Sequence, residues 1–261
     1  MNGEALSVES VRKVFTSRGN ELVAVKSIDL SVKAGEFMAI VGPSGCGKST
    51  LLQMIAGLMT PSDGRVMLGE RNVTGQPAHM VYLFQQYAKS LLPWLTVAKN
   101  VQFSFQHRIS LSRAAARERC REYLDMVGIA DFADHFPWQL SGGMQQRVAI
   151  ARALAAEPSV LLLDEPFSSV DALTRLDLHA LILDLWTRKR FTAVLVTHDV
   201  DEAVFLADRI AILSRRPSVI VETIETNMPR PRSTTETHQD PRFLEVRHRL
   251  LSYLLQKPEA H

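Results

Sequence analysis

The sequence predicts an α/β fold built on a mainly parallel sheet. Short, nearly continuous apolar runs recur along the chain: EFMAIV (36–41), VLLLDEP (160–166) and TAVLVTHD (192–199). Runs rich in Val, Ile and Leu suit strands buried on both faces. Helix-forming stretches follow them, over 48–58, 145–156 and 201–207, and this alternation is the α/β pattern. The first run also leads straight into glycines, as expected of a strand ending in a ligand-binding turn.

The 261 residues, 46% hydrophobic and 22% charged, suffice for one large domain or a domain carrying an inserted lobe. A net charge of +2 gives no strong basic surface for nucleic acid. Cys46 and Cys120 are the only cysteines. They form neither a disulfide framework nor a metal site and fit a reducing, cytosolic compartment. The opening MNGEALSVESVRKVF lacks the apolar segment of a secretory signal. No apolar run approaches the roughly 18 residues that span a bilayer.

Between the strands, LSRAAARERCREYLDMVG (111–128) reads as helix without neighbouring strands. The expectation is a helical lobe over about 91–137, inserted into an α/β body spanning 1–226. The remaining segment, 227–261, opens as a linker rich in Pro, Thr and charge, NMPRPRSTTETHQDPR. Phe243, Val246, Leu250 and Leu254 then recur at helical spacing, as a helix packed on the domain or as a docking helix for a partner.

GPSGCGKST (42–50) matches G-x-x-x-x-G-K-[ST] in full, after a strand and before a helix. Gly42, Pro43, Ser44, Gly45, Cys46, Gly47, Lys48, Ser49 and Thr50 form the expected cradle. Its backbone N–H groups converge on phosphate oxygens, Lys48 supplies charge to the terminal phosphates, and Ser49 offers a hydroxyl to Mg²⁺. Lys48 and the helix start are also expected to favour the Cys46 thiolate. In LLLDE (161–165), Asp164 emerges at the strand's C-terminal end, where open α/β sheets bind ligands, and suits the Mg²⁺ shell. Glu165 beside it suits a general base that activates water. His198 ends the strand TAVLVT; it is either a satisfied core histidine or, at the same sheet edge, a partner of the terminal phosphate or the attacking water.

A second Ser-Gly-Gly turn, LSGGMQQR (140–147), opens a helix but has no Lys. Together with GPSGCGKS and LLLDEP it makes the chain resemble the ATP-binding cassette (ABC) ATPases, from about residue 8 to 221. The resemblance implies a P-loop core with an antiparallel N-terminal β part, ATP and Mg²⁺ as ligands, and a head-to-tail homodimer. Ser141, Gly142, Gly143 and Gln145 of one chain then complete the ATP site on the partner's cradle, which supplies the missing Lys. By the same resemblance Phe15 stacks on adenine where Tyr is more usual. Gln85, with Gln86 adjacent as the other candidate, contacts Mg²⁺ and water, and Asp171 in SSVDA links the two sites.

LLPWLTV, RRPSVIVETIE and MPRPR resemble the nitrate, sulfonate and taurine importer branch. That branch implies uptake of a small anionic solute, a membrane permease docking near 85–95, and indirectly a periplasmic solute-binding protein. The chain itself would sit peripherally on the cytoplasmic face of the inner membrane, without nucleic acid. Trp94 is either core of the helical lobe or part of the docking groove. The competing classes fit less well. ABC-type ATPases acting on nucleic acid or ribosomes carry long coiled coils, zinc modules or paired cassettes, and a P-loop small-molecule kinase leaves LSGGMQQR unexplained.

Overall fold

The computed structural model describes residues 3–17, 19–86, 90–106 and 111–255. Two sheets organise them. The N-terminal strands β1 (Leu6–Ser17) and β2 (Asn20–Val32) form a long antiparallel hairpin, extended by β4 (Asp63–Leu68) and β5 (Arg71–Asn72) in the order β2-β1-β4-β5. The second sheet has the order β10-β9-β3-β8-β7-β6. In it β3 (Phe37–Val41), β6 (Met80–Leu83), β7 (Val160–Asp164), β8 (Thr192–Thr197) and β9 (Arg209–Leu213) run parallel, while β10 (Ile220–Glu225) closes one edge antiparallel.

The apolar runs are strands because both sheet faces are covered. In β3, Phe37, Ala39 and Val41 face one core; Met38 and Ile40 face the other. The second core is closed by the antiparallel sheet and by helix α1 (Lys48–Ile55), through Leu51, Leu52 and Ile55. The first is covered by helices, among them α4 (Gly142–Ala155), α5 (Ala172–Lys189) and α6 (Val200–Leu206). α1 stops short of the 48–58 expected, because Gly57 adopts a left-handed φ of 68°, a common helix terminator. α4 starts earlier than expected because Ser141 caps it, its hydroxyl accepting from Met144 N–H at 3.3 Å.

Between β6 and α4 lie α2 (Val97–Phe103), α3 (Arg113–Met126) and two short 3₁₀ turns, Ala130–Phe132 and Pro137–Gln139. At the C-terminus, α7 (Pro241–Leu255) buries Phe243, Val246 and Leu250, while Leu254 packs half-buried at the edge of the same core. The linker before α7 is bound tightly. Arg232 is buried and donates to the carbonyls of Val204, Phe205 and Ala207 at the end of α6, satisfying acceptors that a helix terminus leaves unpaired.

Candidate active site

Parallel registry places three strand ends side by side. Val41 pairs with Thr197, and Asp164 with Val196. The 42–50 loop, the Asp164–Glu165 pair and His198 therefore emerge at one sheet edge, the edge where α/β sheets bind ligands.

The loop turns into α1 through Gly47, whose φ of 111° is a conformation open to Gly and strained for other residues. Lys48 is buried and folds over its own loop, donating to the carbonyls of Gly42 at 2.9 Å and Pro43 at 3.2 Å. Ser49 Oγ donates to Asp164 Oδ1 at 2.9 Å, and Tyr82 O–H donates to Asp164 Oδ2 at 2.6 Å. Tyr82 thus fixes the carboxylate. Burial, together with that contact, pushes its phenol well above the ordinary range, so it remains a donor. Its position on β6, the strand paired with β7, explains the contact; in sequence it is one aromatic residue in an apolar strand.

Glu165 has a φ of 44°. A non-glycine residue held there costs about 1–3 kcal/mol, and such strain concentrates at functional positions. The backbone is held by Glu165 N–H donating to Val196 O at 2.8 Å and by Ser168 Oγ donating to Glu165 O at 3.0 Å. Glu165 Oε2 lies 3.1 Å from His198 Nδ1 and accepts from Gln85 Nε2 at 3.2 Å. His198 is half exposed, so it is not a core histidine and stands beside Glu165 at the sheet edge. Between the two glutamines, Gln85 is the one that reaches Glu165.

The Ser141 turn is exposed, and among the described residues no hydrogen bond joins 141–143 to 42–50. Within the chain, the second turn packs instead against the start of α5. A Cβ on Gly143 would stand 2.5 Å from Thr174 Cγ2. Asp171 caps α5 by accepting from Thr174 N–H at 3.0 Å, and that bond holds its carboxyl below the usual range. Gln145 is engaged within its own chain. Its amide donates to the carbonyls of Pro137 at 3.0 Å and Leu140 at 3.1 Å, bracing the turn ahead of Ser141. Its neighbour Gln146, which sequence reading passed over, is buried and donates to Pro166 O, tying α4 to the segment behind Glu165.

Phe15 is 38% exposed on the hairpin that reaches the loop. Its neighbour Lys13 pairs with Val25 and places its ammonium 5.4 Å from the Phe15 ring, while Ala24 and Val25 abut Gly47. The expectation for Cys46 is reversed. The thiol is buried, and desolvation pushes it up more strongly than Lys48 and Arg216 pull it down. Cys120, also buried, is raised to about 11.

Trp94 is 70% exposed, which removes the core reading. Its loop is nonetheless tied by hydrogen bonds to a buried side chain. The fully buried Asn100 accepts from Leu92 N–H at 2.8 Å and donates to the carbonyls of Leu92, Leu95 and Thr96 at 3.1 Å. Residues 87–89, the middle of the expected docking segment, lie outside the described residues.

A phosphate loop, a hydroxyl–carboxylate pair and a carboxylate–imidazole pair at one sheet edge define a P-loop nucleotide hydrolase, here with a second Ser-Gly-Gly turn on its surface. Residues 25–168 match the family described as ABC transporter, and the chain belongs to that family as an ATP-hydrolysing transporter subunit. It is 44% identical over 249 residues to an uncharacterized ABC transporter ATP-binding protein of Methanocaldococcus jannaschii, covering 95% of this chain and 91% of that protein. It is 44% identical to the bicarbonate transport ATP-binding protein CmpC of Synechococcus elongatus, over 97% of this chain but 38% of the relative. It is 42% identical to the nitrate import ATP-binding protein NrtC of the same species, over 98% and 39%. A dimeric ATP-binding cassette solved in a post-hydrolysis state with ADP and phosphate superimposes with a TM-score of 0.74 at 34% identity, covering 84% of this chain and 98% of that one.

Proposed function

We propose that the chain is the ATPase of an importer for a small anionic solute of the nitrate, sulfonate or taurine type. It works as a head-to-tail homodimer on the cytoplasmic face of the inner membrane, bound to permease subunits and served indirectly by a periplasmic solute-binding protein. The observation that carries the importer reading is Trp94, an exposed indole on a loop locked by Asn100 and nine residues beyond Gln85. The names of the bicarbonate and nitrate relatives support the anion class, and a net charge of +2 offers nothing to nucleic acid. Among the described residues no helix is long and apolar enough to cross a membrane, so the permease is a separate requirement.

The residues divide the work as follows. Phe15 offers a ring face to adenine. The amides of 42–50 and the Lys48 ammonium hold the phosphates, and Ser141 with the Gly142 and Gly143 N–H groups of the second chain approaches the terminal phosphate from the other side. Asp171 stands beside the second turn and links the two halves. Hydroxyl, carboxylate and amide oxygens are the ligands a hard cation takes. Ser49 and Asp164, with Gln85, fit Mg²⁺, which when bound neutralises charge on the phosphates. Glu165 takes the proton of the attacking water. His198 orients Glu165 through Nδ1 and leaves Nε2 for the phosphate or the water. Positioning and electrostatics supply most of the rate. Gln85 touches Glu165 at one end and leads to the Trp94 loop at the other, so closure over ATP reaches the permease.

Trp94→Ala tests the docking role. The exposed indole contributes little to the fold, so the isolated chain should keep its melting temperature to within about 2 °C and its basal ATPase rate. Association with its permease should weaken about 30-fold, as for an aromatic anchor worth about 2 kcal/mol. A large loss of melting temperature with unimpaired permease binding would remove Trp94 from the interface.

A further inference from the structure

The segment 213–218 runs alongside the phosphate loop and touches it at three successive points. A Cβ on Gly42 would stand 3.0 Å from Leu213 O, so the strap and the loop approach closely there. Arg216 Nε donates to Gly45 O, and Arg216 Nη2 is 3.2 Å from where a Gly45 Cβ would stand. Ser218 Oγ lies 3.5 Å from the corresponding point on Gly47.

This strap is itself anchored. Ser214 N–H donates to Val219 O at 2.9 Å, and Val219 N–H to Ser214 Oγ at 3.0 Å. The fully buried Ser218 is tied to β2: its N–H donates to Ala24 O at 3.1 Å, its hydroxyl donates to the same oxygen at 3.1 Å, and Lys26 N–H donates to Ser218 O at 3.0 Å. Arg216 is therefore an exposed cation presented from a fixed support.

We propose that Arg216 is a positioning residue for the nucleotide: its guanidinium holds the Gly45 carbonyl against the strap and so presets the loop for phosphate. The peptide plane gives the reason. In a trans peptide the carbonyl and the next N–H point in opposite directions. Holding Gly45 O toward Arg216 turns Cys46 N–H to the other side, where it donates to Pro43 O at 3.2 Å and where Lys48 also reaches the Pro43 carbonyl. Released, the Gly45 peptide is free to rotate and to turn an oxygen lone pair toward the phosphate anion. Loop order already present in the free chain lowers the cost of binding. This role rests on 42–50 being the phosphate cradle.

The test compares native chain, Arg216→Ala, Arg216→Lys and Lys48→Ala, using titration with a fluorescent ATP analogue, steady-state hydrolysis and melting of the nucleotide-free protein. Arg216→Ala should raise Kd and KM about 5–20-fold, with kcat within about twofold and melting unchanged, because the side chain is exposed and acts before the chemical step. Arg216→Lys keeps a cationic donor and should stay within about threefold of native. An unchanged Kd in Arg216→Ala, beside lost binding in Lys48→Ala, overturns the proposal and leaves the cradle intact. Full binding by Lys48→Ala would instead overturn the cradle itself. A lowered melting temperature in Arg216→Ala, with affinity not restored by Arg216→Lys, would make Arg216 a structural prop and end the proposal.

Discussion

Glu165→Gln is expected to reduce ATP turnover about 10²–10⁴-fold, the range for loss of a general base, while ATP binding persists. The amide keeps the shape of the carboxylate but does not take up a proton. The left-handed backbone at φ 44° strains Gln as it strains Glu, and the supports from Val196 and Ser168 are main-chain contacts to residue 165 that a side-chain change leaves in place. Stability should therefore be unaltered. In the proposed dimer, blocked hydrolysis leaves the terminal phosphate bridging the two chains, so size-exclusion chromatography in Mg-ATP should show a stable dimer where the native chain returns to monomer. Native turnover by the variant would remove Glu165 from the role of base.

Lys48→Ala should act at the opposite end of the cycle. The ammonium is buried and committed to two carbonyls of its own loop, so it stands within the cradle before nucleotide arrives. Removing it deletes a charge-assisted contact to the phosphates worth about 1.5–3 kcal/mol, or roughly 10- to 150-fold in affinity. It also leaves the Gly42 and Pro43 oxygens without their cation beside an incoming anion. Equilibrium binding should show weak ATP affinity, and no ATP-dependent dimer should form even when Glu165→Gln is added. Dimer formation by that double variant at native ATP concentrations would contradict the phosphate role.

The placement of much of this candidate site was legible in the sequence because it is set locally. A strand that ends in GPSGCGKST or in LLLDE carries its own placement: the apolar run buries the strand, and the next residues emerge at the sheet edge. His198 needed only its strand. Contacts across the sheet were less accessible. Tyr82 meets Asp164 because β6 pairs with β7, and Gln146 meets Pro166 because α4 packs beneath the Glu165 turn; strand order is not written in either segment. Arg216 stands 171 residues from the carbonyl it holds, on a loop that sequence alone offered only as a branch motif. Cys46 misled for a physical reason. Proximity in sequence to Lys48 and a helix start suggested activation, whereas folding buried the Cys46 thiol.

The head-to-tail ATP site is the claim on which the account turns, and complementation between two disabled chains tests it most directly. Ser141→Arg spoils the second turn and leaves the cradle intact; Lys48→Ala does the reverse. Each alone should show background hydrolysis. In an equimolar mixture, a two-fold dimer of unlike chains has one site with an intact cradle facing an intact turn, so activity should return well above background, toward about half the native value as mixed dimers form. Hydrolysis that stays at the sum of the two separate backgrounds would contradict a site shared between chains.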